Sequence, residues 1–160
     1  MGGRVVESSR ERVKSMEVRV VRAEEWACLR ALVWETFQQF VAPDYIESGV
    51  QAFRAFLEDD AAFEEMTCYA AFDAEDMRGV LVADERHCHI VLFFVRAAHQ
   101  GQGIGRALWE HLLACQTCSA YTVNASPFAV TVYRRLGFRE TDVEQVKDGI
   151  RFTPMRWQRV

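Results

Sequence analysis

The sequence contains no apolar run approaching the roughly 18 residues that a membrane-spanning helix needs, so no membrane partner is expected. It also lacks an excess of positive charge. The 19 Lys and Arg stand against 23 Asp and Glu, a formal net charge of −4. That balance argues against nucleic acid as a partner, which a basic surface would accompany. It is compatible with a cationic substrate, although net charge says little about a local site. The segment Met1–Ser15 has charge but no apolar h-region, and so does not read as a signal peptide. Residues 1–16 are expected to be a loosely ordered leader, with Met16 as an alternative start, and residues 17–160 the folded domain. There is no internal repeat, low-complexity tract or second domain.

Cysteine is present five times, an odd count, and there is only one C-x-x-C, Cys115 to Cys118. His111 lies one helical turn before Cys115. With no second C-x-x-C to complete a metal site, no metal is expected. The expectation is reduced, structural thiols in a cytoplasmic protein.

What the chain does have is the material for one core. Its 160 residues are 50% hydrophobic and 26% charged, ordinary values for a single globular domain. Glu17–Val21 alternates as a strand. Trp26, Leu29, Val33, Phe37, Phe40 and Val41 recur at helical spacing until Pro43-Asp44 stops them. A second helix is expected over about 45–58 and a short helical piece over 60–65. Strands are expected near 67–73, 78–84 and 87–95, and a helix over about 103–117. A strand at 119–123 leads to a helix at 127–136, with Ser126 as its cap, Pro127 at its first position and Gly137 as its stop. Two last strands fall near 138–146 and 149–158, turning at Lys147-Asp148-Gly149. The order β-αα-βββ-α-β-α-ββ gives an α/β fold class, a single domain with a mixed central sheet of about seven strands.

The stretch Val95-Arg-Ala-Ala-His-Gln100-Gly101-Gln102-Gly103-Ile104-Gly105-Arg106 carries the chemistry. An apolar strand leads into it and a helix leaves it. Three glycines therefore sit at a helix start, where unpaired N–H groups and the positive end of the helix dipole suit an anion, most often a phosphate. The nucleoside-triphosphate loop requires a Lys after its last glycine, and here Arg106-Ala107 follows Gly105. The dinucleotide fingerprint G-x-G-x-x-G fails in both frames, at Arg106 and at Leu108.

The segment Gln100-Gly101-Gln102-Gly103-Ile104-Gly105 matches Q/R-x-x-G-x-G/A, and in this it resembles the acyl-CoA pyrophosphate loop of the GCN5-related N-acetyltransferases, the GNAT superfamily. The block Tyr121 to Phe138, with Asn124, Tyr133 and Gly137-Phe138, resembles the strand, short helix and strand start that complete the CoA groove in that family. The resemblance covers roughly residues 17–158, most specifically 89–138. It implies helices on both faces of the sheet and fourth and fifth strands splayed apart, with the pantetheine arm in the gap pairing with the fourth strand.

The activity so implied is transfer of an acetyl group from acetyl-CoA, as co-substrate, to a primary amine in a ternary complex, with no metal. By resemblance, Gln100, Gly101, Gly103, Gly105 and Arg106 hold the pyrophosphate, and Asn124 the pantetheine. Backbone groups of Phe93 to Val95 contact the thioester. Tyr133 is the acid for the leaving thiolate. A thiol of pKa about 8.5 leaving beside a Tyr of about 10 keeps the phenol protonated at neutral pH. His89 falls where some members place a catalytic Glu; on a regular strand it shares a face with residues 91, 93 and 95, and an imidazole there could accept a proton. The acceptor pocket is expected around Glu35, Phe37, Gln38, Asp44, Tyr45 and Glu47, an acidic and aromatic mixture suited to a small-molecule or peptide amine. A homodimer is an expectation from the family. The alternative reading is a non-catalytic CoA-binding sensor or interaction module of the same fold.

Overall fold

Strand β1 (Glu17–Val20) opens the described part of the chain, since the computed structural model describes residues 16–160. The expected leader therefore lies outside the described residues, Met16 excepted. Helix α1 (Trp26–Phe40) buries Leu29, Leu32, Val33 and Phe37 completely. Each such side chain contributes roughly 1.5–3 kcal/mol relative to exposure. A single 3-10 turn at Ala42–Asp44 contains Pro43 and separates α1 from α2 (Glu47–Leu57). The short α3 (Asp60–Glu64) is capped by Asp59, whose carboxylate accepts from the Ala62 N–H.

Strands β2 (Thr67–Asp73), β3 (Asp76–Asp84) and β4 (His89–Val95) form an antiparallel meander. Helix α4 (Ile104–Cys115) then crosses over to β5 (Ala120–Ala125), which lies parallel to β4. Helix α5 (Val130–Arg135) follows, then β6 (Arg139–Glu140), β7 (Gln145–Lys147) and β8 (Ile150–Gln158). The sheet order is β1-β2-β3-β4-β5-β8-β6, with β7 also on β8. The sheet separates two apolar layers. One is built around Leu108, Trp109, Tyr121 and Phe138 under α4 and α5. The other surrounds Leu29, Val33, Val80 and Leu92 under α1 and α2.

Three sequence expectations need correction. The strand expected near 138–146 divides into β6 and β7, giving eight strands. Asp142 is the reason: its carboxylate accepts from the Val143 N–H at 2.8 Å and the Gln145 amide at 3.0 Å, a local alternative to the ladder. Helix α5 starts at Val130 instead of 127, because the Ala129 N–H donates to the Ser126 carbonyl and residues 127–129 form a turn. Finally, Cys88 and Cys118 are joined in a disulfide, with Cα atoms 6.0 Å apart, so two of the five thiols are not free. Their 30-residue separation hides the pairing. The two cysteines lie in the segments that lead into β4 and β5, which run side by side, and Cys118 bonds there and not to its C-x-x-C neighbour. Cys115 stays free and exposed, with its sulfur 3.5 Å from His111 Nε2.

Candidate active site

β4 and β5 pair at only two positions, His89 with Thr122 and Ile90 with Val123. The next residue, Val91, is an extra one. Val82 and Ala83 of β3 oppose Leu92 and Ile90, leaving Val91 without a partner in a β-bulge. A bulge bends its strand and ends pairing locally. From this point the two strands diverge, and the gap is a cleft of about 520 Å³. Residues 91–95 of β4 line one wall and Val123 and Asn124 of β5 begin the other.

The glycine loop closes one end. Gly103 is the N-cap of α4 with φ +85°, a left-handed conformation that a side chain would strain, and no side chain caps the helix. The first internal bond of α4 runs from the Ala107 N–H to the Gly103 carbonyl, at 3.0 Å. The N–H groups of Ile104, Gly105 and Arg106 therefore have no helical carbonyl to satisfy them. The Gln100 amide donates to the Val95 carbonyl at 3.0 Å, tying the loop to the end of β4. Arg106 donates to the Arg135 carbonyl at 3.0 Å, tying α4 to the end of α5. Gly79 lets α4 sit close to the sheet, because a Cβ there would lie 3.0 Å from Ile104 and 3.1 Å from Leu108. Arg106, Arg135 and His99 line this end, and among the described residues no carboxylate lines any part of the cleft. Uncapped N–H groups, a helix dipole and two guanidinium groups fit a phosphate-bearing ligand.

Tyr133 stands in the middle. It is 6% exposed, and burial pushes its phenol well above the usual tyrosine range. Its hydroxyl has no hydrogen-bond partner among the described residues, and the residue lines the cleft. Its ring meets Phe93 edge-on at 5.9 Å. Asn124, exposed on β5, lines the same cleft and sits opposite Pro154 in the register with β8. The far end is walled by aromatic residues of α1 and α2.

A family model for the acetyltransferase (GNAT) domain matches residues 41–159. The chain belongs to the GNAT acetyltransferase family. Solved structures give the same fold. A GCN5-related N-acetyltransferase from Rhodopseudomonas palustris is 21% identical with a TM-score of 0.73, over 89% of this chain and 94% of that one. The PaiA N-acetyltransferase from Thermoplasma acidophilum, in complex with coenzyme A, is 14% identical with a TM-score of 0.73, over 89% and 98%. An aminoglycoside 6'-N-acetyltransferase complexed with coenzyme A is 11% identical with a TM-score of 0.62, over 89% and 96%. No curated protein matches the chain.

In this GNAT domain Phe93, Val95, Gln100, Gly101, Gly103, Gly105, Arg106, Asn124 and Tyr133 all line the one cleft. His89 does not. The Val91 bulge shifts the alternation of β4, so His89 loses the shared face that a regular strand would give it with Phe93 and Val95. Its Nδ1 lies 2.8 Å from the Thr122 hydroxyl at the closed end of the gap, and burial lowers its pKa, with Asp84 opposing. Three residues separate it from Phe93 along the strand. Of the expected acceptor residues, Phe37 and Tyr45 line the cleft; Glu35, Gln38, Asp44 and Glu47 do not. Glu35 instead pairs with Arg96 at 3.0 Å, and Asp44 with Arg151 at 3.4 Å. Cleft-wall residues that sequence reading did not assign to the site include Thr36, Phe40, Phe53 and Phe128. Phe53 falls within the second expected helix with nothing to set it apart, and Phe128 carried no signal beyond its place after Pro127.

Proposed function

We propose that this protein transfers the acetyl group of acetyl-CoA to a primary amine by direct attack in a ternary complex. One observation carries the reading: a single cleft runs from an uncapped, carboxylate-free helix start, past the Tyr133 hydroxyl, to an apolar end. The coenzyme A complexes of two structural neighbours support the donor. The loop N–H groups and Arg106 hold the pyrophosphate. The β4 edge, left open beyond Ile90, pairs with the pantetheine amides as another strand would, and Asn124 bonds the same arm. A backbone N–H between Phe93 and Val95 stabilises the oxyanion.

The neutral amine nitrogen attacks the thioester carbon. The C–N bond forms, the C–S bond breaks, and the amine releases one proton to solvent. Tyr133 donates to the departing thiolate and recovers its proton from solvent. Its burial keeps it protonated for that step. His89 has no part in this scheme.

Calorimetric titration with acetyl-CoA, followed by free-thiol release across a panel of amines, tests the reading. Binding with thiol release is the expected result. Binding without release for any amine would favour the non-catalytic sensor, and no binding would remove the assignment of the glycine loop.

A further inference from the structure

The acceptor end of the cleft has a distinct chemistry. Beyond Tyr133 its walls are Phe37, Phe40, Val41, Tyr45, Phe53 and Phe94. Phe40 of α1 and Phe128 from the turn before α5 stack at 4.6 Å, one from each side of the opening, and Phe128 is left 44% exposed. The three carboxylates nearest in sequence are engaged elsewhere: Glu35 with Arg96, Asp44 with Arg151, and Glu47 accepting from Gln51 at 2.8 Å. None lines the cleft.

We propose that the acyl acceptor is a monoamine carried on an aromatic or branched-alkyl body, and not a polyamine or aminosugar. The proposal rests on the acetyl-transfer reading above and names the substrate class for it. The reacting nitrogen is neutral when it attacks, so it needs no counter-charge. Every further ammonium group would enter a wall without a carboxylate, and an unpaired desolvated charge is costly. Phe37 offers no ring face for cation–π capture, because it is stacked on Phe53 at 3.9 Å and 5° and on Trp34 at 5.6 Å and 22°. An apolar body gains from the same wall in proportion to the area it buries. The polar groups at this end are uncharged hydroxyls, those of Tyr45 and Thr36. The buried Thr36 hydroxyl donates to the Leu32 carbonyl at 2.8 Å and keeps lone pairs that can accept an amine N–H.

The test separates the acceptor from the donor. The protein is first titrated with CoA; failure of that step would overturn the acetyl-transfer reading itself. CoA-saturated protein is then titrated with phenethylamine and with spermidine. Phenethylamine is expected to bind at least about ten-fold more tightly. The Phe128→Asp variant, with its CoA affinity as the check on folding, is expected to narrow that ratio. Equal binding, tighter binding of spermidine, or no binding of either amine beside intact CoA binding would overturn the acceptor proposal.

Discussion

The backbone N–H of Phe138 donates to the carbonyl of Tyr133 at 3.0 Å, and the two rings meet edge to face at 5.2 Å. The Gly137 N–H donates to the Arg134 carbonyl, also at 3.0 Å, with Gly137 at φ +102°. These are the paired bonds and the apolar contact of a Schellman helix end. The Gly-Phe pair thus terminates α5 and fixes the residue that faces the thioester in the proposed reaction. Tyr133→Phe should lower kcat by about 100-fold while acetyl-CoA affinity stays within about three-fold. Full turnover in that variant would remove Tyr133 as the acid.

Gly137→Ala tests the helix end itself. An L residue in that conformation costs roughly 1–2 kcal/mol, and its Cβ would lie 3.3 Å from Trp157. The expected result is a Tm lower by roughly 2–8 °C together with a lower kcat, because Tyr133 is anchored through the same turn. Melting curves and initial rates read the two effects separately.

Gly103→Glu places a carboxylate beside the uncapped start of α4. CoA affinity should fall by at least about ten-fold. Gly103→Ala, which adds backbone strain without charge, should fall less. Titration of both variants gives the comparison, and equal losses would show that strain alone matters.

The pH profile follows from burial of Tyr133. The neutral form is the active one, and its pKa is raised, so it persists to higher pH than an exposed tyrosine would. The rate should therefore rise as the acceptor amine loses its proton and show no fall from Tyr133 up to about pH 10. His89→Asn should leave the profile unchanged. An ascending limb near neutral pH that disappears in that variant would return His89 to the chemistry.

The Cys88–Cys118 bridge closes a loop of 30 residues at the joint where β4 meets β5. Chain-entropy arguments put its contribution at about 3–4 kcal/mol. Adding reductant should lower Tm by roughly 10 °C, and Cys88→Ser should melt at the lower temperature with or without reductant. A wild-type Tm indifferent to reductant would show that the bridge does not form in solution.

Much of the architecture was legible because each element has a local cause. The period of α1, the glycines around α4 and the Gly137 stop all follow from neighbours in sequence. The phosphate end of the cleft was readable for the same reason. The acceptor end was legible only in Phe37 and Tyr45: Phe40, Phe53 and Phe128 come from three separate elements, and nothing in any one of them announces a shared wall. The strand face expected for His89 rested on regular alternation, and no residue type marks Val91 as a bulge. The disulfide was missed because cysteine spacing was read along the chain, while the pairing depends on β4 and β5 being neighbours in the sheet.

That bulge has a consequence of arithmetic. The phase of a strand is set by how many residues it contains, whatever those residues are. Exchange of Val91 for Ile or Thr leaves the count alone, and the cleft with it. Loss of one residue between Ile90 and Leu92 would return β4 to simple alternation and swing one end of the strand to the opposite face. The groove is therefore tolerant of spelling at this position and intolerant of a change in length.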